Sequence, residues 1–128
     1  MTQYHLKCGA IAMQIFLIAN TIFEVGIGLI FLLFPTLVLE NNALSISLLR
    51  IIGCGALGLG SLSFLMLDLT DKKALKPGLI ALSIFHSLAA VSQIYSFLNS
   101  SANIFIIIIH SLFAVSFISI SWQRIREK

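Results

Sequence analysis

Four long runs of apolar residues, separated by short polar stretches, make up nearly the whole of a 128-residue chain. A helix needs about 20 such residues to cross roughly 30 Å of hydrocarbon, and each run reaches that length. The pattern predicts helices over about 8–34, 45–67, 77–98 and 102–122. Pro35 closes the first, since proline cannot donate a backbone hydrogen bond and pushes the preceding residue out of the helical region. Thr36 to Asn42 then reads as a short amphipathic stretch suited to the membrane interface. Asp68, Asp71, Lys72, Lys73 and Lys76 form a charged loop, and Pro77 is a favoured first helical residue. Asn99, Ser100 and Ser101 make a polar, uncharged turn.

Composition turns this pattern into a class. With 59% hydrophobic residues, 10% charged residues and a mean hydropathy of +1.04, a soluble domain of this size lacks the polar surface to cover itself. The reading is an all-α polytopic membrane protein, a single four-helix transmembrane domain over 1–128 with its helices running up and down and the lipid bilayer as its solvent. Such a chain has no room for a soluble catalytic or nucleic-acid-binding module. Its pI of about 9.1 reflects topology, because Lys7, Lys72, Lys73, Lys76, Arg124, Arg126 and Lys128 all fall on one side and none lies in the two opposite loops. By the positive-inside rule both termini are cytoplasmic. Trp122 sits beside the basic tail, at headgroup level. The first run is too long, and carries Glu24 too centrally, to be a cleaved signal peptide.

Within the runs lie Asn20, Glu24, Arg50, His86, Gln93 and His110. A charged side chain at the centre of a membrane helix costs about 2.5 to 3.5 kcal/mol, so these groups should face the bundle interior and find partners. At about 1.5 Å per residue, Arg50 and Gln93 fall roughly 7 Å below the outer edge, His110 about 10 Å, Glu24 about 15 Å and His86 about 18 Å. His86 and Gln93 are seven apart and Asn20 and Glu24 four apart, so each pair shares a helix face. A polar pocket open to the outside is the expectation, with Glu24 and Arg50 as charge partners and the others as hydrogen-bonding groups. It would bind or transport a small or lipophilic molecule.

Each residue also has a structural explanation. Arg50 can snorkel to the interface. Glu24 can be a protonated tie to Asn20 or Gln93, and His86 and His110 can donate to carbonyls or to Ser83, Ser87 or Ser111. The alternative to a ligand site is therefore a structural or accessory subunit of a larger membrane complex. No nucleophile motif, metal-ligand cluster or phosphate loop is recognisable, so no catalytic residue, metal or cofactor is expected. Haem ligation by His86 and His110 is disfavoured by their depths, about 8 Å apart.

Gly53 to Gly58 spell GxGxxG, but that fingerprint carries meaning only between a strand and a helix. Inside an apolar span, Gly53, Gly55, Gly58 and Gly60 instead predict close helix packing, within the chain or in a homo-oligomer. Two cysteines, Cys8 and Cys54, match neither a redox pair nor a zinc site. Phe34 and Pro35, the interfacial stretch, and a second helix opening Leu49, Arg50, Ile51, Ile52, Gly53 and continuing glycine-rich together resemble, in layout, small uncharacterised four-helix bacterial inner-membrane proteins of the DoxX-like kind. That resemblance implies a bacterial inner membrane and little chemistry. Glu24, followed by Val25 and Gly26, is also similar to the first-helix glutamate of small multidrug-resistance transporters, whose weak charge bias the basic residues here do not share.

Overall fold

A computed structural model describes residues 2–38, 43–98 and 103–126, with side chains over 10–38, 43–71, 73–98 and 103–123. The turn at 99–101, most of the expected interfacial stretch (39–42) and Lys128 lie outside the described residues, as do the side chains of Lys7, Cys8, Lys72, Arg124 and Arg126. The elements are α1 (Thr2–Leu33), a 3-10 turn (Pro35–Leu37), α2 (Ala43–Met66), α3 (Lys72–Leu98) and α4 (Ile104–Arg126). Among the described residues, four segments are long and apolar enough to cross a membrane: Ala10–Leu33, Ala43–Met66, Lys73–Leu98 and Ile104–Gln123.

Burial is inverted relative to a soluble protein. Ile11, Ile15 and Ile22 are 57%, 58% and 69% exposed, whereas Asn20, Ser63 and His86 are 0% exposed. Apolar side chains face outward and polar ones are enclosed, which water would penalise and a bilayer favours. The chain thus has the character of an integral membrane protein.

Local chemistry sets the helix ends. α1 stops at Leu33, and Phe34 leaves the helical region at φ −128°, ψ 45° ahead of Pro35, which opens the 3-10 turn. The third helix begins at Lys72 rather than at Pro77. Asp71 caps it, its Oδ1 accepting the Lys73 backbone N–H at 3.0 Å. Pro77 therefore lies inside α3, where it removes the helical hydrogen bond its N–H would have given to the Lys73 carbonyl. Asn103 caps α4 in the same way, its Oδ1 accepting the Phe105 N–H at 2.9 Å.

The chain divides into two compact units, Leu17–Asp68 and Met1–Phe16 with Leu69–Lys128. In the first, the later part of α1 packs on α2. Contacts run from Asn20 with Ser63, through Val25 at Gly60, to Gly28 at Gly53. Numbers rise on one helix as they fall on the other, so the two are antiparallel. The buried stripe on α2 is Leu49, Gly53, Ala56, Gly60, Ser63 and Met66, spaced by three and four.

In the second unit α3 packs on α4. Ser83 meets Ser121, while His86 meets Phe117, Phe113 and His110. This order again makes the pair antiparallel. Leu75, Leu79, Leu82, His86 and Ala90 form the buried stripe of α3, against Phe113, Ala114, Phe117 and Ile120 of α4.

Candidate functional site: enclosed polar groups in two helix pairs

In the α1–α2 pair, Asn20 and Glu24 occupy positions that the helical repeat reserves for the core. Among the described side chains of α1, Met13, Leu17, Asn20, Glu24 and Gly28 are the successive buried residues, so the two polar side chains inherit enclosure from their register. Asn20 Nδ2 donates to Ser63 Oγ at 2.8 Å. Both residues are fully buried. The Asn20 Oδ1 is enclosed with no hydrogen-bond partner among the described residues. Ser63 was not singled out from the sequence, although it continues the Gly53, Ala56, Gly60 spacing and was legible there.

Glu24 is only 2% exposed. Gly60 makes room for it: a Cβ there would stand 3.3 Å from Glu24 Cβ and 2.8 Å from Val25 Cγ2. This register explains why the expected Glu24 and Arg50 partnership is not formed. With Gly60 level with Glu24, Arg50 lies ten residues (60 − 50) along α2, or about 15 Å, beyond the reach of an arginine side chain. Arg50 is exposed.

The glycines of α2 fall into two sets. Gly53 and Gly60 touch α1, and a Cβ on Gly53 would meet Gly28 O at 2.9 Å and Leu32 N at 3.0 Å. Gly55 and Gly58 have open space instead. The GxGxxG stretch is continuous α-helix, without the strand-to-helix turn that a dinucleotide requires. Cys54 is free and exposed.

In the α3–α4 pair the two histidines meet directly. His86 Nδ1 lies 3.0 Å from His110 Nδ1, and His86 is fully buried while His110 is half-buried. Neutral rings in this contact must be complementary tautomers, one donating from Nδ1–H and the other accepting. Sequence depth had separated them by about 8 Å. Depth along one axis ignores side-chain reach and any stagger between helices, and together these close the gap. The short contact leaves no room for an iron and its porphyrin between the two nitrogens.

Aromatic rings wall the pair. Phe85 stands edge-on to His86 and His110, with centroids at 5.0 and 6.0 Å. Phe113 and Phe117 lie against His86 at 4.9 and 5.7 Å, the latter stacked. Nearby serines turn to their own helix: Ser83 Oγ donates to Leu79 O and Ser87 Oγ to Ser83 O, each at 2.7 Å. Gln93 is half-buried, three residues beyond Ala90 on the α3 stripe.

No protein-family model matches the chain, and comparison with curated proteins and with solved structures also yields no match. The DoxX-like likeness therefore rests on layout alone.

Proposed function

We propose that the protein binds or transports a small or lipophilic molecule within the membrane, through the polar side chains its helices enclose. The observation that carries this reading is the enclosure of two ionisable residues, Glu24 at 2% and His86 at 0% exposure, inside helices of membrane-spanning length. Such groups are costly in a bilayer and mark ligand or ion pathways more often than chance packing. Asn20, Gln93 and His110 supply further hydrogen-bonding capacity, and the exposed Arg50 offers a cation at the approach. On this reading the helices run up and down with both termini cytoplasmic, as the basic residues argue. The layout likeness favours a bacterial inner membrane.

A second reading is an accessory subunit of a larger membrane assembly, or a homo-oligomer. It draws support from Gly55 and Gly58, which present open space on α2 where another helix could approach. Native mass spectrometry from mild detergent distinguishes the two. The first reading expects a co-purifying small molecule that Glu24→Gln or His86→Gln releases without unfolding the protein. A ligand-free protein found only within a larger complex sinks it.

A further inference from the structure

We propose that His86 and His110 form a binding site for a first-row divalent metal ion of the imidazole-preferring kind, Zn²⁺ or its neighbours, held through the two Nδ1 atoms between α3 and α4. The proposal stands on the imidazole pair alone. It does not require that a small molecule be bound or transported.

Geometry comes first. The two Nδ1 atoms are 3.0 Å apart. Two imidazole nitrogens on one tetrahedral zinc, with bonds of about 2.0–2.1 Å, stand about 3.3–3.4 Å apart. The pair therefore needs to open by only a few tenths of an ångström. One ring comes from α3 and the other from α4, and each must also pivot, because a tetrahedral ion sits about 35° off the line joining its two nitrogens.

Proton bookkeeping is also simple. In the neutral pair one ring carries its proton on Nδ1 and donates it to the other, whose own proton is on Nε2. When an ion enters, the donor ring moves its proton from Nδ1 to Nε2. Both Nδ1 lone pairs then point at the ion, and no proton is gained or lost overall. Imidazole in its neutral form is the commonest ligand for these metals.

The surroundings favour a cation in a place otherwise hostile to charge. Phe85 touches both rings edge-on, and Phe113 and Phe117 lay their faces near His86. These contacts fix the orientation of the ligand ring, as an outer shell must. They also set π faces against an imidazole that a bound ion makes electron-poor. Two protein ligands leave coordination positions for water or a small ligand.

The test uses the full-length protein in detergent, stripped with a chelator and titrated with Co²⁺ as the spectroscopic probe and Zn²⁺ as competitor. The expected result is one saturable site with the visible bands of tetrahedral cobalt, abolished by Zn²⁺. Losing an outer-shell partner alone costs about 10–100-fold in affinity, so His86→Gln and His110→Gln should each weaken binding more than tenfold. Glutamine keeps a hydrogen-bonding amide in place of the ring. His5→Ala, at the remaining histidine of the chain, should leave binding unchanged. A folded wild-type protein with no saturable cobalt site overturns the proposal, and so does a site lost in His5→Ala but kept in the other two variants. Should the glutamine variants unfold, X-ray absorption at the zinc edge of the loaded wild-type protein decides. Two or more imidazole ligands support the site, and fewer than two overturn it.

Discussion

Between α1 and α2 the helices approach where side chains are missing, while between α3 and α4 they meet through large rings. Gly28 and Gly53 bring two backbones together so closely that an added Cβ would stand 2.9 Å from the opposite carbonyl oxygen. In the other pair Phe113, Phe117 and His86 fill the gap with rings, Phe117 stacked on both of the others and Phe113 tilted against His86. Lipid tails are as apolar as leucine, so neither pair gains from burying hydrocarbon as a soluble core does. What remains is contact and polar bonding, and the two pairs draw on these differently. The glycine pair should be intolerant of added volume and the ring pair of removed volume.

The largest effect is expected where volume is added between backbones. Gly53→Leu puts its Cβ against Gly28 O, Leu32 N and Phe31 Cβ, at 2.9, 3.0 and 3.1 Å. Two of these are backbone atoms that cannot rotate away. The expected cost is about 3 kcal/mol or more, at or above the upper end for overpacking, read as loss of resistance to unfolding in mixed micelles of sodium dodecyl sulfate. An unchanged unfolding midpoint would show that α1 and α2 are not in contact at this level.

Next comes removal of volume from the ring pair. Phe117 is fully buried and stacked on both Phe113 and His86. In water a buried Phe→Ala costs about 3–5 kcal/mol, part of it the loss of transfer from solvent. With lipid as the reference, that part shrinks and the lost packing remains. About 2 kcal/mol is therefore expected for Phe117→Ala in the same unfolding assay. A loss near 5 kcal/mol would mean that the site is exposed to water when the helices separate.

Much of this contrast was legible beforehand. The apolar runs located all four helices, and the spacing of three and four along Gly53, Ala56, Gly60 and Ser63 carries the α1-facing stripe. Its partner Gly28 was overlooked, although a glycine facing a glycine is what close approach requires. Pro77 misled the start of α3, because its fitness as a first helical residue concealed the better cap at Asp71. The Glu24 and Arg50 pairing failed for a different reason: interhelical register is set by side-chain fit along the whole contact, which a count of residues from the ends does not contain. The histidine contact was missed in the same way.

A smaller effect is expected from the side-chain hydrogen bond of Asn20 with Ser63, which links α1 to α2. Asn20 to Ser63 is short and fully enclosed, yet such bonds in membrane proteins average only about 0.6 kcal/mol in double-mutant cycles and reach about 1.7 at most. Separated helices find other partners for their polar groups. A cycle of Asn20→Leu and Ser63→Ala should return a coupling within that range. A coupling near zero would mean that the bond makes no net contribution, and that contact at the glycines holds the pair.

The smallest effects belong to the glycines that touch nothing. A Cβ at Gly55 or Gly58 meets no atom within 4 Å, so Gly55→Ala and Gly58→Ala should be tolerated where Gly53→Leu is not. Both positions lie inside a helix, where glycine is less favourable than alanine by about 0.8–1.0 kcal/mol. Each variant should therefore unfold at the same or slightly higher denaturant than the parent, by no more than about 1 kcal/mol. The same variants test whether the chain works alone. If a second copy or another subunit packs against this face, the added methyl groups push it away, and native mass spectrometry records a drop in assembly size while the isolated chain stays as stable as before. If assembly size is unchanged, the small residues of α2 serve only the contact with α1, and the accessory reading loses the observation that favours it.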